Sequence, residues 1–451
     1  MGRRAAIAGA VAGVAYTLSP FAALFAALAV LLFWWALRGL DGIERKRVCG
    51  LLAAATLLRV AAIVALLLTT TPAQHFKAYF PDALFAIARS WWILNIWQGV
   101  TIGPLYDLST YNPYGATSYS YVLGALQMIV GQSPYGLNFI SLTAFLAGAI
   151  ALYRMARESF GPSAALVGFG ILLFWPTMFA WSVSMLKEPM QFGLGALLIV
   201  FTLRAVRSRA WKGCAIGALL AAATAYAMMT LRSAAPIVAI AGVAIGVSGW
   251  LLTRRQWVAA VTLAAGLVGG AVAARDATVQ QQWLALARTS ADRQVGYWAS
   301  TGHGYKTLDQ RFYSEGAKAT RGMLPDEAVR YLGRAVVAFF TVPFPWQMES
   351  RAALVSLPQQ IAWYGLVLLV VPGLVAGFRR DPLVSWILMS FLAAGVVVIA
   401  PNSGNIGTLV RHRDIVVPPV ALLASAGFVS ILGVLVNPGR RWAGRRPAVT
   451  A

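Results

Sequence analysis

The sequence predicts an all-α polytopic integral membrane protein of about 11–12 transmembrane helices, with juxtamembrane helices on its extracytoplasmic face. Three observations carry this. Over 451 residues the hydrophobic content is 59% and the mean hydropathy +0.69, which excludes a soluble globular chain. Apolar runs close to the length of a membrane-crossing helix recur from end to end. Most basic residues sit in short clusters between those runs, the pattern of cytoplasmic membrane loops. The net charge of +22 alone would suit nucleic-acid binding, but this clustering argues against it. The two cysteines, Cys49 and Cys214, lie near the cytoplasmic starts of spans and have no disulfide or metal spacing.

Residues 5–19 and 20–38 form an apolar tract broken at Ser19-Pro20, with Arg3-Arg4 before it and Arg45-Lys46-Arg47 after it. Basic flanks place both ends in the cytoplasm, so the tract turns back at the proline as two short spans or a re-entrant pair. It is too long for a cleaved signal peptide and is expected to stay in the mature chain. The span at 48–68 carries Arg59 at mid-depth. A charge there must face other helices, either bracing the bundle or binding an anionic lipid group.

Residues 69–133 read as the first extracytoplasmic loop. Asp82 suits a helix N-cap, and the apolar residues after it suggest an amphipathic helix along the membrane. A Tyr-, Pro- and Gly-rich patch follows, with Asp107, Tyr111 and Tyr114. Residues 116–130 read as a second juxtamembrane helix, because a span there would leave Arg154 and Arg157 outside. Spans are then expected at 136–153, 161–180, 189–204, 213–230, 235–250 and 257–273. A large extracytoplasmic loop, 275–347, ends in an apolar piece too short and proline-rich to cross. The last spans are 358–377, 383–399 and about 415–436, and 1–451 reads as a single membrane domain with both termini cytoplasmic.

The assigned cytoplasmic segments hold 20 Lys and Arg against four acids, Asp41, Glu44, Glu158 and Asp381. The other side holds 16 basic residues against 11 acids, spread over longer and chemically more varied loops. The chemistry is therefore expected at the outer face. There the hairpin tip from Trp175 to Pro189 presents two aromatic rings, including Trp181, a hydroxyl pair and Lys187-Glu188. Lys187 and Glu188 are candidate catalytic groups, or simply a structural pair closing the turn before Pro189. Arg411-His412-Arg413 is the clearest anion site, since the arginine fork is pre-organised for two phosphate oxygens. Lipid headgroups or Asp414 are the alternative partners. Lys187 and Arg232, at two other outer turns, are placed to converge on the same pocket. Asp82 is the candidate general base, with helix capping as its other reading. Tyr111 and Tyr114 suit stacking on sugar faces, as they would an interfacial aromatic belt. Asp82, Asp107 and Glu188 offer a carboxylate set for Mg or Mn; no spacing fixes a metal site.

Taken together, several stretches resemble the integral-membrane glycosyltransferases of the C-type (GT-C) fold, which include the dolichol-phosphate-mannose-type protein mannosyltransferases and the aminoarabinose transferases. The stretches are Asp82 opening a helix in the first outer loop, the juxtamembrane helix near Gly131 and Pro134 with a span closing at Tyr153 to Gly161, Phe174-Trp175-Pro176 through Glu188, and Gly407 through Arg413 with Pro418 beyond. The resemblance implies a bacterial inner-membrane enzyme that transfers a sugar from a polyprenyl-phosphate-linked donor to an envelope lipid, glycan or protein acceptor. It implies Asp82 as base, and Arg411, Arg413 and Lys187 around the phosphate. Ala83 follows Asp82 where many relatives carry a second acid, which weakens a two-carboxylate or metal-dependent mechanism. The rivals are an envelope polysaccharide repeat-unit polymerase or ligase with similar donors, a lipid-linked glycan transporter, and a non-catalytic scaffold in envelope assembly. Transport predicts charge along an interior route, and only Arg59 sits at mid-depth.

Overall fold

The computed structural model describes residues 19–71, 81–100, 118–133, 135–231, 235–254, 275–300, 304–347 and 356–436, with scattered helical residues between them. Residues 5–18 and 257–273, where two further spans are expected, lie largely outside that set. Among the described residues no β-strand forms, only an isolated bridge between Gly304 and Asn405. Among the described residues nine helices are long and apolar enough to cross a membrane, ten if one bent pair counts as a single span.

The basic ends of the spans meet at one face. Helix α1 (Pro20–Leu37) starts at Ser19, whose hydroxyl accepts from the Phe21 amide at 3.2 Å. Helix α2 (Gly42–Thr69) is capped by Asp41 and, at 28 residues, is about 42 Å long. Near its start Glu44 takes a bond from Arg157 at 2.7 Å and from the Tyr153 hydroxyl at 2.6 Å. Two short helices, α3 (Pro81–Trp97) and α4 (Ser118–Val130), pack on each other. At 13 residues, about 20 Å, α4 is too short to cross. Helix α5 (Asn138–Phe160) carries the Glu44 partner Arg157 in its last turn. Arg380 donates to the Phe160 carbonyl at that face, and Arg207 pairs with Asp381.

The span expected at 161–180 is broken. Helix α6 (Pro162–Phe174) gives way at an extended Trp175 to α7 (Pro176–Ser182), bent by 60°. The cause is Pro176, which has no N–H for the carbonyl four residues back and sits at the first position of the new helix. Helices α8 (Glu188–Arg207), α9 (Trp211–Leu231) and α10 (Ala235–Thr253) follow. Helix α8 packs on α5 where Gly193 meets Ala144; a Cβ on Gly193 would lie 2.7 Å from the Ala144 carbonyl oxygen, so only glycine fits.

The described residues of 275–347 form packed helices, not an open loop. Helices α11 (Ala277–Ser300), α12 (Gln310–Glu315), α13 (Ala317–Arg321) and α14 (Pro325–Thr341) are tied by Arg334–Asp309 at 2.6 Å and by Arg311–Glu327. They dock on residues 400–405, where the Tyr305 amide donates to the Gly404 carbonyl at 3.1 Å. The last helices are α15 (Leu357–Arg380), α16 (Pro382–Ile399), the short α17 (Ile406–Arg413) and α18 (Val417–Val436). Leu57, Leu219, Leu368 and Val371 are more than half exposed on spanning helices, which suits a lipid-facing surface.

Candidate active site

The helix break is held from both sides. Leu173 is in the last turn of α6, where carbonyls lose their helical partners. Its carbonyl accepts from Arg59 Nη2 at 2.8 Å, while Arg59 Nε donates to the Ser182 hydroxyl at 2.7 Å. Phe145 and Phe179 lie on the guanidinium at 4.5 and 4.9 Å. Arg59 has no exposed surface, and all three guanidinium nitrogens donate to protein oxygens, including Ala55 carbonyl at 3.2 Å. This makes it a brace for the break, and protein atoms enclose it on the side where a lipid group would have to reach it.

On the other side stands Asp414, between α17 and α18 and 9% exposed. Its Oδ1 accepts from Thr177 Oγ1 at 2.6 Å and from Trp175 Nε1 at 3.2 Å, and its Oδ2 accepts from Trp181 Nε1. Burial pushes this carboxyl up to about 7, against the three donors, which pull it down. Asp414 thus ties α7 to the Arg-His-Arg helix.

That tie brings two expected site residues together. Arg411 Nε donates to Glu188 Oε1 at 3.1 Å, and the guanidinium lies 5.2 Å above the Trp181 ring. Lys187, half-buried, precedes Glu188 at the start of α8, and His412 is half-buried beside Arg411. Arg413 does not join them. It is buried on another side of α17, donating to Gln360 Oε1 at 3.1 Å and to the carbonyls of Ala338 and Val342, between Phe339 and Trp363. Burial lowers it to about 10, so it stays charged at neutral pH while anchoring the outer helices.

Asp82 is the second residue of α3, two positions past its N-cap; its side chain lies outside the described set. The next residue, Ala83, is fully buried and belongs to the same apolar cluster as Met185 and Leu186, the residues that lead into Lys187-Glu188. Asp107, Tyr111, Tyr114 and Arg232 lie outside the described residues. Among the described residues no three potential metal ligands come together, and Glu188 is engaged by Arg411.

Beneath the Arg411–Glu188 pair a pocket runs into the bundle between α5, α8, α10 and α16, with about 850 Å³ of empty space when the open solvent around it is included. Glu188, Arg411, Asp414 and Trp181 stand at its mouth, and Phe145, Leu152, Ile199 and Leu388 line its depth. An ionic rim over an apolar shaft fits an amphiphile with an anionic head. Of the lining residues, Gln191 escaped the sequence reading, and Asp414 entered it only as a partner for the neighbouring arginines, whereas its bonds go to Trp175, Thr177 and Trp181. The signals were there: an acid directly after Arg-His-Arg, and a lone amide in an otherwise apolar helix after Pro189.

Fold and cavity define an all-helical multi-pass membrane protein with an amphiphile-shaped site at the end opposite its basic face. Residues 116–272 match the family model of dolichyl-phosphate-mannose-protein mannosyltransferase. That match supports the resemblance to the C-type membrane glycosyltransferases and points to a membrane glycosyltransferase. The matched segment holds Trp175, Thr177, Trp181 and Glu188, whereas Asp82, Arg411 and Asp414 lie outside it. No curated protein matches the chain.

Proposed function

We propose that the protein transfers a sugar from a polyprenyl-phosphate-linked donor to an envelope lipid, glycan or protein acceptor at the extracytoplasmic face of a bacterial inner membrane. The observation that carries this is the Arg411–Glu188 rim over an apolar shaft inside the bundle. In this reading the donor's isoprenoid chain fills the shaft and its phosphate meets Arg411. Arg413, enclosed by Gln360, Ala338 and Val342, holds the outer helices instead.

Asp82 takes the proton of the acceptor hydroxyl as that oxygen attacks the anomeric carbon. The carbon–oxygen bond to phosphate breaks, and polyprenyl phosphate leaves with the electron pair. Arg411 stabilises the charge growing on that phosphate, the moment at which a fixed cation contributes most. Glu188 aims the guanidinium and Trp181 supports its face. Residues 69–133 and 275–347 act as the outer layers that receive the acceptor, and Mg or Mn enters only if Asp82, Asp107 and Glu188 gather around it.

The test uses membranes with equal amounts of wild type and Asp82→Asn, given radiolabelled polyprenyl-phosphate sugars with and without EDTA. Transfer by wild type alone supports the reading, and its response to EDTA decides the metal. Equal transfer by both removes Asp82 from the chemistry.

A further inference from the structure

Gln191 sits one helical turn below Glu188, about 4.5 Å further along α8 into the membrane. It is only 8% exposed and lines the shaft among aromatic and aliphatic side chains. Its buried Nε2 has no hydrogen-bond partner among the described residues. An unsatisfied amide in an apolar wall is costly. Leucine would fill the same wall without that penalty, so an amide here invites a ligand oxygen. Turning the amide over exchanges its nitrogen and oxygen with little change of shape, which gives the donor access to the shaft.

We infer that Gln191 is a ligand-binding residue that donates an N–H to a phosphoester oxygen of a polyprenyl phosphate, just below the Arg411–Glu188 rim. This rests on the donor site proposed above and adds a second contact to it. Arg411 holds the phosphate from the mouth by charge. Gln191 holds it from the shaft side, where the chain carbon joins the phosphate. The pair fixes how deep the lipid sits, and therefore where the anomeric carbon lies.

The experiment measures binding of polyprenyl phosphate, and of the polyprenol of equal length, to the full chain in nanodiscs. Wild type, Gln191→Leu, Gln191→Glu and Arg411→Ala are compared. Wild type is expected to prefer the phosphate. Gln191→Leu should lose about tenfold or more for the phosphate and little for the alcohol, the size of one hydrogen bond to a charged group. Gln191→Glu should lose more, because it sets a carboxylate against the phosphate. Ligand-free Gln191→Leu should melt no lower than wild type, whereas a structural amide would make it melt lower.

Equal losses for phosphate and alcohol, or a lower melting temperature with no selective loss, would overturn the inference. A phosphate preference that needs Arg411 and ignores Gln191 would sink this inference and leave the donor site standing. No phosphate preference in wild type would remove both. Phosphatidic acid offers the same phosphoester on two acyl chains; Gln191-dependent binding as tight as that of polyprenyl phosphate would overturn the assignment to a polyprenyl ligand.

Discussion

Arg411 and Glu188 face each other across 223 residues of chain, with Arg411 Nε 3.1 Å from Glu188 Oε1. Neither side chain would hold its place alone. Glu188 opens α8 beside the turn that Pro189 stiffens, and Arg411 rides on α17, which Asp414 fastens to Trp175, Thr177 and Trp181. The cation at the cavity mouth is thus aimed by a carboxylate, backed by an indole, and tied to a helix that exists because Pro176 broke the span.

Replacing Arg411 should stop turnover with the fold intact. Arg411→Ala is expected to lower the transfer rate about 100-fold or more, the cost of removing a fixed donor from a developing oxyanion. Arg411→Lys should recover only part, because a point charge cannot hold Glu188 and a phosphate as a planar fork can. Rates with saturating donor, alongside melting temperatures, check this; a normal rate in Arg411→Ala would remove Arg411 from the site.

Asp414 should act through position and through pH. In Asp414→Asn the amide nitrogen must face at least one N–H or O–H donor, a mismatch of about 1–3 kcal/mol. Trp181 and Arg411 then lose their register, and transfer should fall at least about tenfold. Its carboxyl ordinarily titrates near 3.8 and is raised to about 7 in the folded chain. Between those values the folded chain holds a proton that the unfolded chain has released. Asp414 therefore contributes stability that is full below about pH 4, fades as pH rises through about 7 and is flat above. Melting curves across that range should show this component in wild type and lack it in Asp414→Asn.

Arg59 should prove structural. Arg59→Ala removes the donor to the Leu173 carbonyl and to the Ser182 hydroxyl, which keeps its bond to the Phe179 carbonyl, and opens space between Phe145 and Phe179. A loss of about 3 kcal/mol or more is expected, seen as poor yield and early melting in detergent. A well-folded Arg59→Ala that lost only donor binding would contradict the bracing role.

The two cysteines report sidedness. Cys214 is exposed and Cys49 partly so, each near the start of a helix at the basic face. Membrane-impermeant maleimide added to right-side-out vesicles should label neither, and Cys214 should react once the vesicles are opened. Labelling of Cys214 in intact vesicles would reverse the assigned sides.

The spans among the described residues, and the end at which they bear positive charge, were legible because hydropathy and Arg clusters are local signals; Arg154, Arg157, Arg207 and Arg380 all collect at one face. The anion site was half legible. Arg411, His412 and Arg413 look alike in sequence, yet successive helical residues point about 100° apart, so Arg411 reaches the cavity while Arg413 faces α14 and α15. The 60° bend was hidden because residues 161–180 are apolar throughout, and hydropathy does not register the N–H missing at Pro176. The role of Asp414 and the presence of Gln191 in the site were not legible for a related reason: each matters through partners, or their lack, on helices distant in sequence.

In the proposed reaction the shaft beneath Arg411 and Glu188 holds the lipid of a phosphate-linked donor. A polyprenyl phosphate with a photoactivatable group on its chain, crosslinked in nanodiscs and mapped by mass spectrometry, tests this directly. Label on Phe192 of α8 or Phe391 of α16, competed by polyprenyl-phosphate sugar and lost in Arg411→Ala, is the expected result. Label confined to the lipid-facing surfaces of α9 and α15, unchanged in Arg411→Ala, would contradict it.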